Sequence, residues 1–583
     1  MVTGMDFAGA NLAGQNLTDA SFQDTNLIGA NLAGAEVRGA DFRSFYSGAR
    51  ISVAQLYSTA SYQAHDLRGM GLSGDFSNMD LADQDLSNAK FKYAGLNGAN
   101  LSQANLINVA FEATGLIGAN LSQANLTNAN FVGEYSSANL TNANLSLANL
   151  TGANLSATTV TGANLTGAEV RGADFSYVAI NLAQLYSTAS YQAVDLTGIA
   201  LGGTDLAGVN LAGQNLTNAS FVTNDGNYAG ANLNGANLSG TDSRGANFLY
   251  ATLTGADFTG ADVRGANFDR DIDSEIGITL AQLYATASYQ AHDLSGIGLV
   301  NGPLAGVNFA GQNLTNADFR GANLTAANLS GADARGANFQ YATLSGAVAG
   351  NLIQANGHIA GLNLTSGTSL IVRDHDGNST ASPPTGPLPI VVDQGMTMNA
   401  TGVLQLVFDV DPWDSPISFA PGIPVALAGT LELTFVPGVN VATQSGRTID
   451  LFDWTGVTPT GTFTISSPYT WNLTNLYTTG EVTLTAVPSL PGDFDHDGTV
   501  DAADYVVWRK TDDAQENYDT WRANFGSSLG PGSGSSLPSA GPLPATVPEP
   551  SAQLLLLLSA AVPLLGYRTS RKNGQICYLT NVY

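Results

Sequence analysis

Aspartates recur at alternating positions in the segment Asp493–Asp504, which reads DFDHDGTVDAAD. Counted from its first residue, carboxylates stand at positions 1, 3, 5, 9 and 12, and a glycine stands at position 6, where a twelve-residue calcium loop turns sharply. Carboxylates that converge on one point repel one another unless a hard divalent cation neutralises them. The pattern predicts calcium as a cofactor, and a solvated acidic turn is the alternative. The predicted ligands are Asp493, Asp495, Asp497, Thr499 through its backbone carbonyl, Asp501 and Asp504.

A second candidate functional segment, an apolar run with prolines before it and basic residues after it, lies near the C-terminus. An apolar run over residues 554–566 is too short for the roughly 20 residues that span a bilayer. Basic residues after the run hold that end on the cytoplasmic side of a membrane. The pattern predicts a transient anchor, whereas a buried hydrophobic hairpin is the alternative. The residues that define the pattern are Pro548, Glu549, Pro550, Arg568, Arg571 and Lys572.

No catalytic set can be recognised in the sequence. The motifs H-E-x-x-H and Walker A are missing, and G-x-S-x-G is matched only by GSSLG at residues 526–530, where the Gly/Ser-rich linker begins. His65 and His292 occupy equivalent places in a long repeat, but its middle copy has Val194 there, so the position does not require an imidazole. The carboxylates of the first 350 residues replace asparagine within a short repeat, so no acid/base pair can be singled out. We therefore expect a protein that is not an enzyme.

The composition limits the partners. The formal net charge is −27, yet charged residues make up only 11% of the chain, against a usual figure of about 25%. The surface is therefore mostly amide and hydroxyl, and direct binding to the nucleic-acid backbone is disfavoured. The single cysteine, Cys577, excludes an intramolecular disulfide framework. Because the chain begins inside a repeat and shows no signal peptide, we expect its natural start to lie upstream.

A five-residue repeat occupies about the first 350 residues of the chain. It appears as GANLSQANLTNANF near Asn120, with a small residue, then Asn or Asp, then Leu or Phe, then two small or polar residues. A period of five fits neither an amphipathic helix nor an alternating strand. One unit buries too little to offset the roughly 1–2 kcal/mol per residue that backbone ordering costs. Stacked coils of a solenoid are therefore predicted.

The units ANLSG, ADFTG and ANLTG resemble those of pentapeptide-repeat proteins. The resemblance implies an all-β fold, a right-handed quadrilateral β-helix with four units per coil, over residues 1–355.

A longer repeat interrupts the short one three times. Its copies begin Ser52-x-x-Gln55, Asn181-x-x-Gln184 and Thr279-x-x-Gln282, which is the spacing of a helix capping box. We predict three short helical insertions that protrude from the solenoid. They either bind a partner or bridge a break in coil register, and the second interpretation is favoured.

Residues 356–490 read as short alternating strands such as VLQLVFDV and GTLELTFV. An antiparallel β-sandwich is slightly favoured over further solenoid coils with a cap. The aromatic residues of this segment are expected in its core, with a sugar-binding platform as the alternative.

The acidic loop and the helix-like AADYVVWRK after it resemble a dockerin calcium module over residues 491–526. Dockerins carry two such loops, whereas the later YDTWRANF lacks a second one. The sequence therefore allows two roles for the module, which are binding of a cohesin-type partner and a structural clip held by calcium.

A linker over residues 527–546 leads to residues 547–572, which resemble a PEP-CTERM sorting signal. The resemblance implies export and processing by a sorting transpeptidase at the membrane. Residues 573–583 form a tail that such signals normally lack.

These patterns favour a non-enzymatic exported bacterial protein, at the cell surface or in the matrix, transiently anchored through its C-terminus. Its repeats would act as a structural, adhesive or protein-interaction scaffold for a protein or polysaccharide partner, or for further copies of itself. One alternative is an accessory subunit for polysaccharide degradation, and another is an acidic mimic of nucleic acid.

Overall fold

The computed structural model describes residues 5–44, 51–270, 277–365, 367–375, 386–436, 439–487, 490–494, 500–511 and 514–527. The chain divides into two compact units. The first comprises Met1–Val439 and Gln444–Ala486, and the second comprises Asn440–Thr443 and Val487–Tyr583. The repeats and the strand-rich segment thus share one unit, and the acidic loop lies in the other.

Helices and strands are short throughout. The helices are α1 (Val53–Tyr57), α2 (Ala60–Gln63), α3 (Leu182–Tyr186), α4 (Ala189–Gln192), α5 (Leu280–Ala285), α6 (Ala287–Gln290), α7 (Ala502–Thr511) and α8 (Gln515–Asn524), with a 3₁₀ turn at Val441–Gln444. The strands are β1 (Gly74–Asp75), β2 (Ala94–Gly95), β3 (His358–Ile359), β4 (Leu362–Leu364), β5 (Ser369–Arg373), β6 (Ile390–Val392), β7 (Met396–Met398), β8 (Val403–Phe408), β9 (Ile417–Phe419), β10 (Val425–Leu427), β11 (Thr430–Phe435), β12 (Thr448–Asp450), β13 (Phe452–Asp453), β14 (Thr460–Gly461), β15 (Thr464–Ser466), β16 (Thr470–Asn472) and β17 (Glu481–Ala486).

The five-residue repeats wind into coils of four units. Parallel bridges join residues twenty apart, as between Asn100 and Asn120, so each coil has four sides. At most corners the last residue of a unit has a positive φ, 68° at Gly98 and 56° at Asn128. Glycine adopts this left-handed conformation without strain and asparagine tolerates it. The expected four-sided β-helix is therefore confirmed.

The interior of the coils is filled by the large apolar residue of each unit and the small residue two positions before it. Leu101 and Ala99, for example, are fully buried. Equivalent phenylalanines stack along the coil axis, with ring centroids 5.4 Å apart between Phe91 and Phe111 and 5.1 Å apart between Phe111 and Phe131. Each buried leucine or phenylalanine contributes roughly 1.5–3 kcal/mol, and this contribution is realised when a neighbouring coil covers it.

Asparagine dominates the position before the large residue because its amide both donates and accepts. The Nδ2 atom of Asn120 donates to Oδ1 of Asn100 at 3.2 Å, and Nδ2 of Asn144 donates to Oδ1 of Asn120 at 3.2 Å. The same Oδ1 of Asn120 accepts the backbone N–H of Ser122. An aspartate can accept these bonds but cannot donate to the preceding coil.

The three insertions are pairs of short helices lodged in the wall of the coils. All three predicted capping boxes are present, at Ser52, Asn181 and Thr279. In each, the capping glutamine also donates to two coil carbonyls, as Gln184 does to Val160 and Ala163 at 2.9 Å each. The expectation that these helices protrude is wrong, because each first helix buries a leucine completely.

At each insertion one side of the coil is missing, and the hydroxyls of two tyrosines of the helical pair make the backbone hydrogen bonds that a strand would make there. In the middle insertion, the backbone N–H of Asn210 donates to the hydroxyl of Tyr186, and the hydroxyl of Tyr191 donates to the carbonyl of Asn210. Asp80 and Asn308 are bonded in the same way in the other two copies. These contacts support the interpretation that the insertions bridge a break in coil register.

The segment after the repeats continues as parallel coils with three sides. Its sheets have the strand orders β3-β6-β9-β13, β4-β7-β10-β14 and β5-β8-β11-β15, and every pairing in them is parallel. The preference for an antiparallel sandwich is therefore wrong, and the alternative of further coils is the observed fold. Alternating short strands occur in both folds, so the pattern within each strand could not separate them.

An antiparallel sheet of β12, β17 and β16 follows the last coils. Several aromatic residues of residues 356–490 pack in the core of this segment, where Phe419 stacks on Trp454 at 5.1 Å and Phe435 lies beside Trp471. Trp454 and Trp471 are 8% and 9% exposed. These two tryptophans therefore have the core role that we expected and do not form an open sugar-binding platform.

Candidate functional site

The acidic loop lies where the first helix of the second unit begins. Helix α7 starts at Ala502, immediately after Asp501, and α8 packs against it through aromatic side chains. Ring centroids of Tyr505 and Trp521 are 5.2 Å apart, and those of Trp508 and Tyr518 are also 5.2 Å apart. The helix predicted after the loop and the helix that contains most of the later YDTWRANF segment thus form a small aromatic core of their own.

Asp504 ties both described ends of the loop together. Its Oδ1 accepts the backbone N–H of Phe494 at 2.6 Å, and its Oδ2 accepts the backbone N–H of Asp501 at 2.8 Å. Asp504 is fully buried and Asp493 is 5% exposed. Burial of carboxylates is costly unless their charge is compensated.

The structure therefore places three of the six predicted ligands at the described ends of one loop, Asp493 and Asp504 buried and Asp501 exposed. The predicted ligands Asp495, Asp497 and Thr499 lie outside the described residues. Within the described part of the chain, no cluster of three or more histidine, cysteine, aspartate or glutamate side chains could hold a metal ion.

The predicted sorting residues Pro548, Glu549, Pro550, Arg568, Arg571 and Lys572 also lie outside the described residues. In the ranges that the structure describes, no helix is long and apolar enough to cross a membrane.

One side of the four-sided coils carries a row of acid–arginine pairs, which we call the charged row. Within a coil the acid and the arginine are two residues apart, and bridges such as Asp242 to Asp262 stack successive pairs. Arg244 contacts Asp242 at 2.6 Å and the next coil's Asp262 at 3.8 Å. The row comprises Glu36, Arg38, Asp66, Arg68, Asp85, Glu169, Arg171, Asp195, Asp242, Arg244, Asp262, Arg264, Asp293, Asp333 and Arg335.

Hydrogen bonds shift the pKa values of several acids in the row. Arg244 holds the pKa of Asp242 below its ordinary value of 3.8 by donating to the carboxylate. Burial raises the pKa of Asp262, but hydrogen bonds from Arg264 and Ser288 outweigh the burial and lower it overall. These carboxylates are therefore charged at neutral pH, and each is balanced by an adjacent guanidinium.

The last pair of the row is buried and joins the two kinds of coil. Arg335 is fully buried and its side chain contacts Asp333 at 2.6 Å. Its remaining donors reach the segment that follows, namely the carbonyls of Leu388 at 3.0 Å and Arg373 at 2.7 Å, and Oγ of Ser415 at 2.7 Å. All five N–H groups of the guanidinium thus have an acceptor.

Sequence reasoning missed this junction. The segment around Asp333 and Arg335 has the same acid-x-Arg-Gly-Ala spacing as the exposed pairs, so nothing local marks it as buried. Asp374 belongs to the same junction, where its Oδ1 accepts from Oγ of Ser415 at 3.0 Å. Burial raises the pKa of Asp374.

Tyrosines lie along one corner of the four-sided coils, which we call the tyrosine edge, and all of them are exposed except the half-buried Tyr250. Four of them follow a core phenylalanine by two residues and have positive φ, between 58° at Tyr250 and 64° at Tyr341. Two more lie in loops inserted at the same corner, after Phe131 and Phe221. The repeated Phe-x-Tyr motif was visible in the sequence and could have identified this edge. Its members are Tyr93, Tyr135, Tyr177, Tyr228, Tyr250 and Tyr341.

Among the described residues, one histidine pairs with an acid at the surface and one cavity has an apolar lining. Nδ1 of His358 lies 2.8 Å from Oδ1 of Asp393 on a half-exposed surface. A cavity of about 570 Å³ lies where the last four-sided coil meets the three-sided coils, and it is lined by apolar or amide residues such as Phe339, Leu344 and Ile359. None of the residues that line it titrates near neutral pH.

The family model described as pentapeptide repeats matches eight copies in the chain. The copies fall within residues 6–43, 75–106, 104–133, 138–176, 195–222, 229–270 and 304–340. The repeat region belongs to the pentapeptide-repeat family. The family model and the twenty-residue coils of the structure agree on this region. No curated protein matches the chain.

Solved structures with pentapeptide repeats also match parts of the chain. HetL, a pentapeptide repeat protein involved in heterocyst differentiation regulation in the cyanobacterium Nostoc sp., is 27% identical over 53% of this chain and 98% of its own, with a TM-score of 0.21. A pentapeptide repeat protein from the thylakoid lumen of Arabidopsis thaliana is 40% identical over 20% of this chain and 70% of its own, with a TM-score of 0.13.

Full-length QnrB1, a plasmid-mediated fluoroquinolone resistance protein, is 14% identical over 46% of this chain and 92% of its own, with a TM-score of 0.13. At these TM-scores the likenesses carry no part of the family assignment, which rests on the repeats.

Proposed function

We propose that the protein is a non-enzymatic scaffold that is exported by a bacterium and displayed at the cell surface or in the matrix. The observation that carries the scaffold role is the junction at Arg335, which joins four-sided and three-sided coils through a fully bonded buried side chain. Such a body presents stacked rows of side chains at fixed spacing. Surface display is supported by the sequence of residues 547–572, which resembles a sorting signal cut by a transpeptidase.

Calcium has a structural role in this proposal, as a clip within the module of residues 491–526. The described carboxylates Asp493 and Asp504 are buried, and Asp504 already connects the two ends of the loop. A bound cation would supply the positive charge that compensates these carboxylates. The segment after α8 pairs with Val500, whose N–H donates to the carbonyl of Ser527 at 2.8 Å. This closed arrangement favours a clip over a docking module for a cohesin.

The charged row disfavours the alternative of a nucleic-acid mimic. Mimicry of a duplex requires rows of uncompensated negative charge, whereas acids of the row such as Asp242 and Asp262 pair with arginines of the same coil. A supercoiling assay with a topoisomerase tests this alternative directly, and inhibition by the purified protein would support it.

Fractionation of the native cells, combined with intact-mass analysis of the mature C-terminus, tests the proposal. We expect the protein outside the cell or at its surface, cut close to Pro548. Cytosolic protein that retains Tyr583 would refute surface display. A pull-down with a cohesin at millimolar calcium separates the scaffold from an accessory subunit for polysaccharide degradation, and the scaffold proposal expects no capture.

A further inference from the structure

The tyrosine edge is a surface feature that the packing of the coils does not explain. Tyr341 is 83% exposed, Tyr135 81%, Tyr228 53% and Tyr93 46%. Scattered apolar residues are normal on a protein surface, but a row of large exposed rings on one edge marks an interaction site. Core residues of the same corner, such as Phe91 and Phe175, are fully buried. The tyrosines therefore do not contribute to the interior of the coils.

The backbone at these tyrosines is unfavourable for a bulky residue. Tyr93, Tyr177, Tyr250 and Tyr341 have φ values of 61°, 59°, 58° and 64°. In other coils the same corner position holds a glycine, as at Gly321 with a φ of 67°. A left-handed conformation costs free energy for tyrosine and none for glycine, and such strain is retained where function requires the side chain.

The register of the coils gives the tyrosines a regular spacing. Bridges at this side run through Lys90, Ala110, Asn130, Asn154, Asp174, Ala200, Ser220 and Asn247 in successive coils. In this series of coils, successive tyrosines are two coils apart, in the order Tyr93, Tyr135, Tyr177 and Tyr228. Two coils correspond to about 10 Å, because hydrogen-bonded strands lie about 4.8 Å apart. This is comparable with the length of a disaccharide unit in an extended polysaccharide.

Three of the six rings, those of Tyr177, Tyr228 and Tyr250, contact neighbouring groups. Tyr177 lies against the next corner, where a Cβ atom at Gly203 would come within 2.7 Å of its Cδ1. Its hydroxyl lies 3.3 Å from Oγ1 of Thr223. The centroids of Tyr228 and Tyr250 are 6.2 Å apart. Rings that are positioned before binding lose little conformational freedom when a ligand stacks on them.

The charges around the edge favour a neutral ligand. Lys92, beside Tyr93, is paired with Glu112 at 2.7 Å, so it adds no net positive charge. The next side of the coils carries amides and hydroxyls, for example Asn139 and Thr159. With a net charge of −27, the protein repels anionic polymers. Aromatic faces are electron-rich and attract the C–H groups on one face of a sugar ring, while the surrounding polar groups bind its hydroxyls.

We infer that the tyrosine edge binds a neutral, extended polysaccharide along the coil axis, with sugar rings stacked on successive tyrosines. This inference rests on the proposed scaffold function and names the class of its ligand.

Affinity electrophoresis of the purified full-length protein tests the inference. The gels contain hydroxyethyl cellulose, arabinoxylan, galactomannan or dextran as neutral probes, and carboxymethyl cellulose as an anionic one. We expect retardation by at least one neutral polymer and none by the anionic one. The double variant Tyr93→Gly/Tyr177→Gly should weaken the retardation at least tenfold, because each ring contributes contact area without adding to the core.

This variant keeps the test independent of folding, since glycine relieves the backbone strain at both positions and should leave the thermal midpoint unchanged or higher. The matched control is Asn128→Gly, which makes a similar backbone change at a corner with a φ of 56° on another edge. We expect its binding to equal that of the wild type.

Retardation by none of the four neutral polymers would overturn the inference, as would equal retardation of the double variant and the wild type. Self-association that the double variant abolishes, without retardation by any polymer, would also overturn it and would assign the edge to a second copy of the protein. Because the gels use purified protein, failure here leaves surface display to be judged by fractionation. Conversely, a cytosolic location would refute surface display without changing the gels.

Discussion

Acid–arginine pairs with the same spacing contribute different amounts to the free energy of unfolding in different coils. The side chain of Arg244 is 51% exposed, and exposed ion pairs contribute only about 0.2–1 kcal/mol. Arg335 is fully buried, and removal of one partner from a buried pair costs about 3–5 kcal/mol. The difference arises from the three-sided coils that cover Arg335. The sequence could predict the pair but not its burial, because the residues that cover it lie 38 to 80 positions later.

Replacement of Asp242 by asparagine should make the protein less sensitive to acid. Arg244 lowers the pKa of Asp242 below 3.8 in the folded state, so the unfolded state binds this proton more readily. The stabilisation is therefore present above about pH 4 and is lost as the pH falls through the lowered pKa. This loss of stability is about 0.5 kcal/mol for an exposed pair, and the variant Asp242→Asn should not show it.

Thermal unfolding at pH 6 and pH 3 measures this difference for both proteins. Asparagine already occupies the equivalent position at Asn215, so the variant should fold. An unchanged difference between the two pH values would contradict the prediction.

At the scale of elements, the helical insertions act as parts of the coil wall. Gln184→Ala should destabilise the protein by about 3 kcal/mol, because it removes a helix cap and leaves two coil carbonyls without their donor. The matched control is Gln192→Ala on α4, whose amide donates to an exposed carbonyl of Tyr186. Its effect should stay below about 0.5 kcal/mol.

Urea unfolding followed by circular dichroism compares the two variants of the insertion. Equal destabilisation by both would mean that the insertion is an appendage and does not support the wall. The capping boxes themselves could be predicted from the sequence, because capping depends on residues three positions apart. The contacts of the glutamines with a preceding coil could not, since they join residues more than 20 positions apart.

The calcium module makes a separate prediction at the same scale. Calorimetric titration of the full chain with calcium should show one site that disappears in Asp493→Ala, because a loop ligand is lost. Fluorescence of Trp508 and Trp521 should change on binding, since both lie on the helices that follow the loop and both contact Tyr505. Asp519→Ala is the control, because Asp519 lies exposed on α8 and contacts Gln515. A flat titration of the wild type would contradict the calcium site.

At the scale of the whole molecule, the sequence predicted the four-sided coils but not the three-sided ones. A strict five-residue period specifies the first, because every unit repeats the same side chains inward. In the second, equivalent strands are separated by varying lengths, such as Ser369 to Val403 and Val403 to Thr430. No regular period in the sequence indicates that these strands stack in parallel, so an antiparallel sandwich fits the local pattern equally well.

A scaffold that presents side chains at fixed spacing requires that both kinds of coil behave as one body. Hydrogen-exchange mass spectrometry measures this property directly in the wild type, Arg335→Met and the exposed control Arg244→Met. We predict that Arg335→Met loses protection together in the coil around Asp333 and in β5 and β6, while Arg244→Met resembles the wild type. Loss confined to the coil around Asp333, with β5 and β6 unchanged, would contradict a single body.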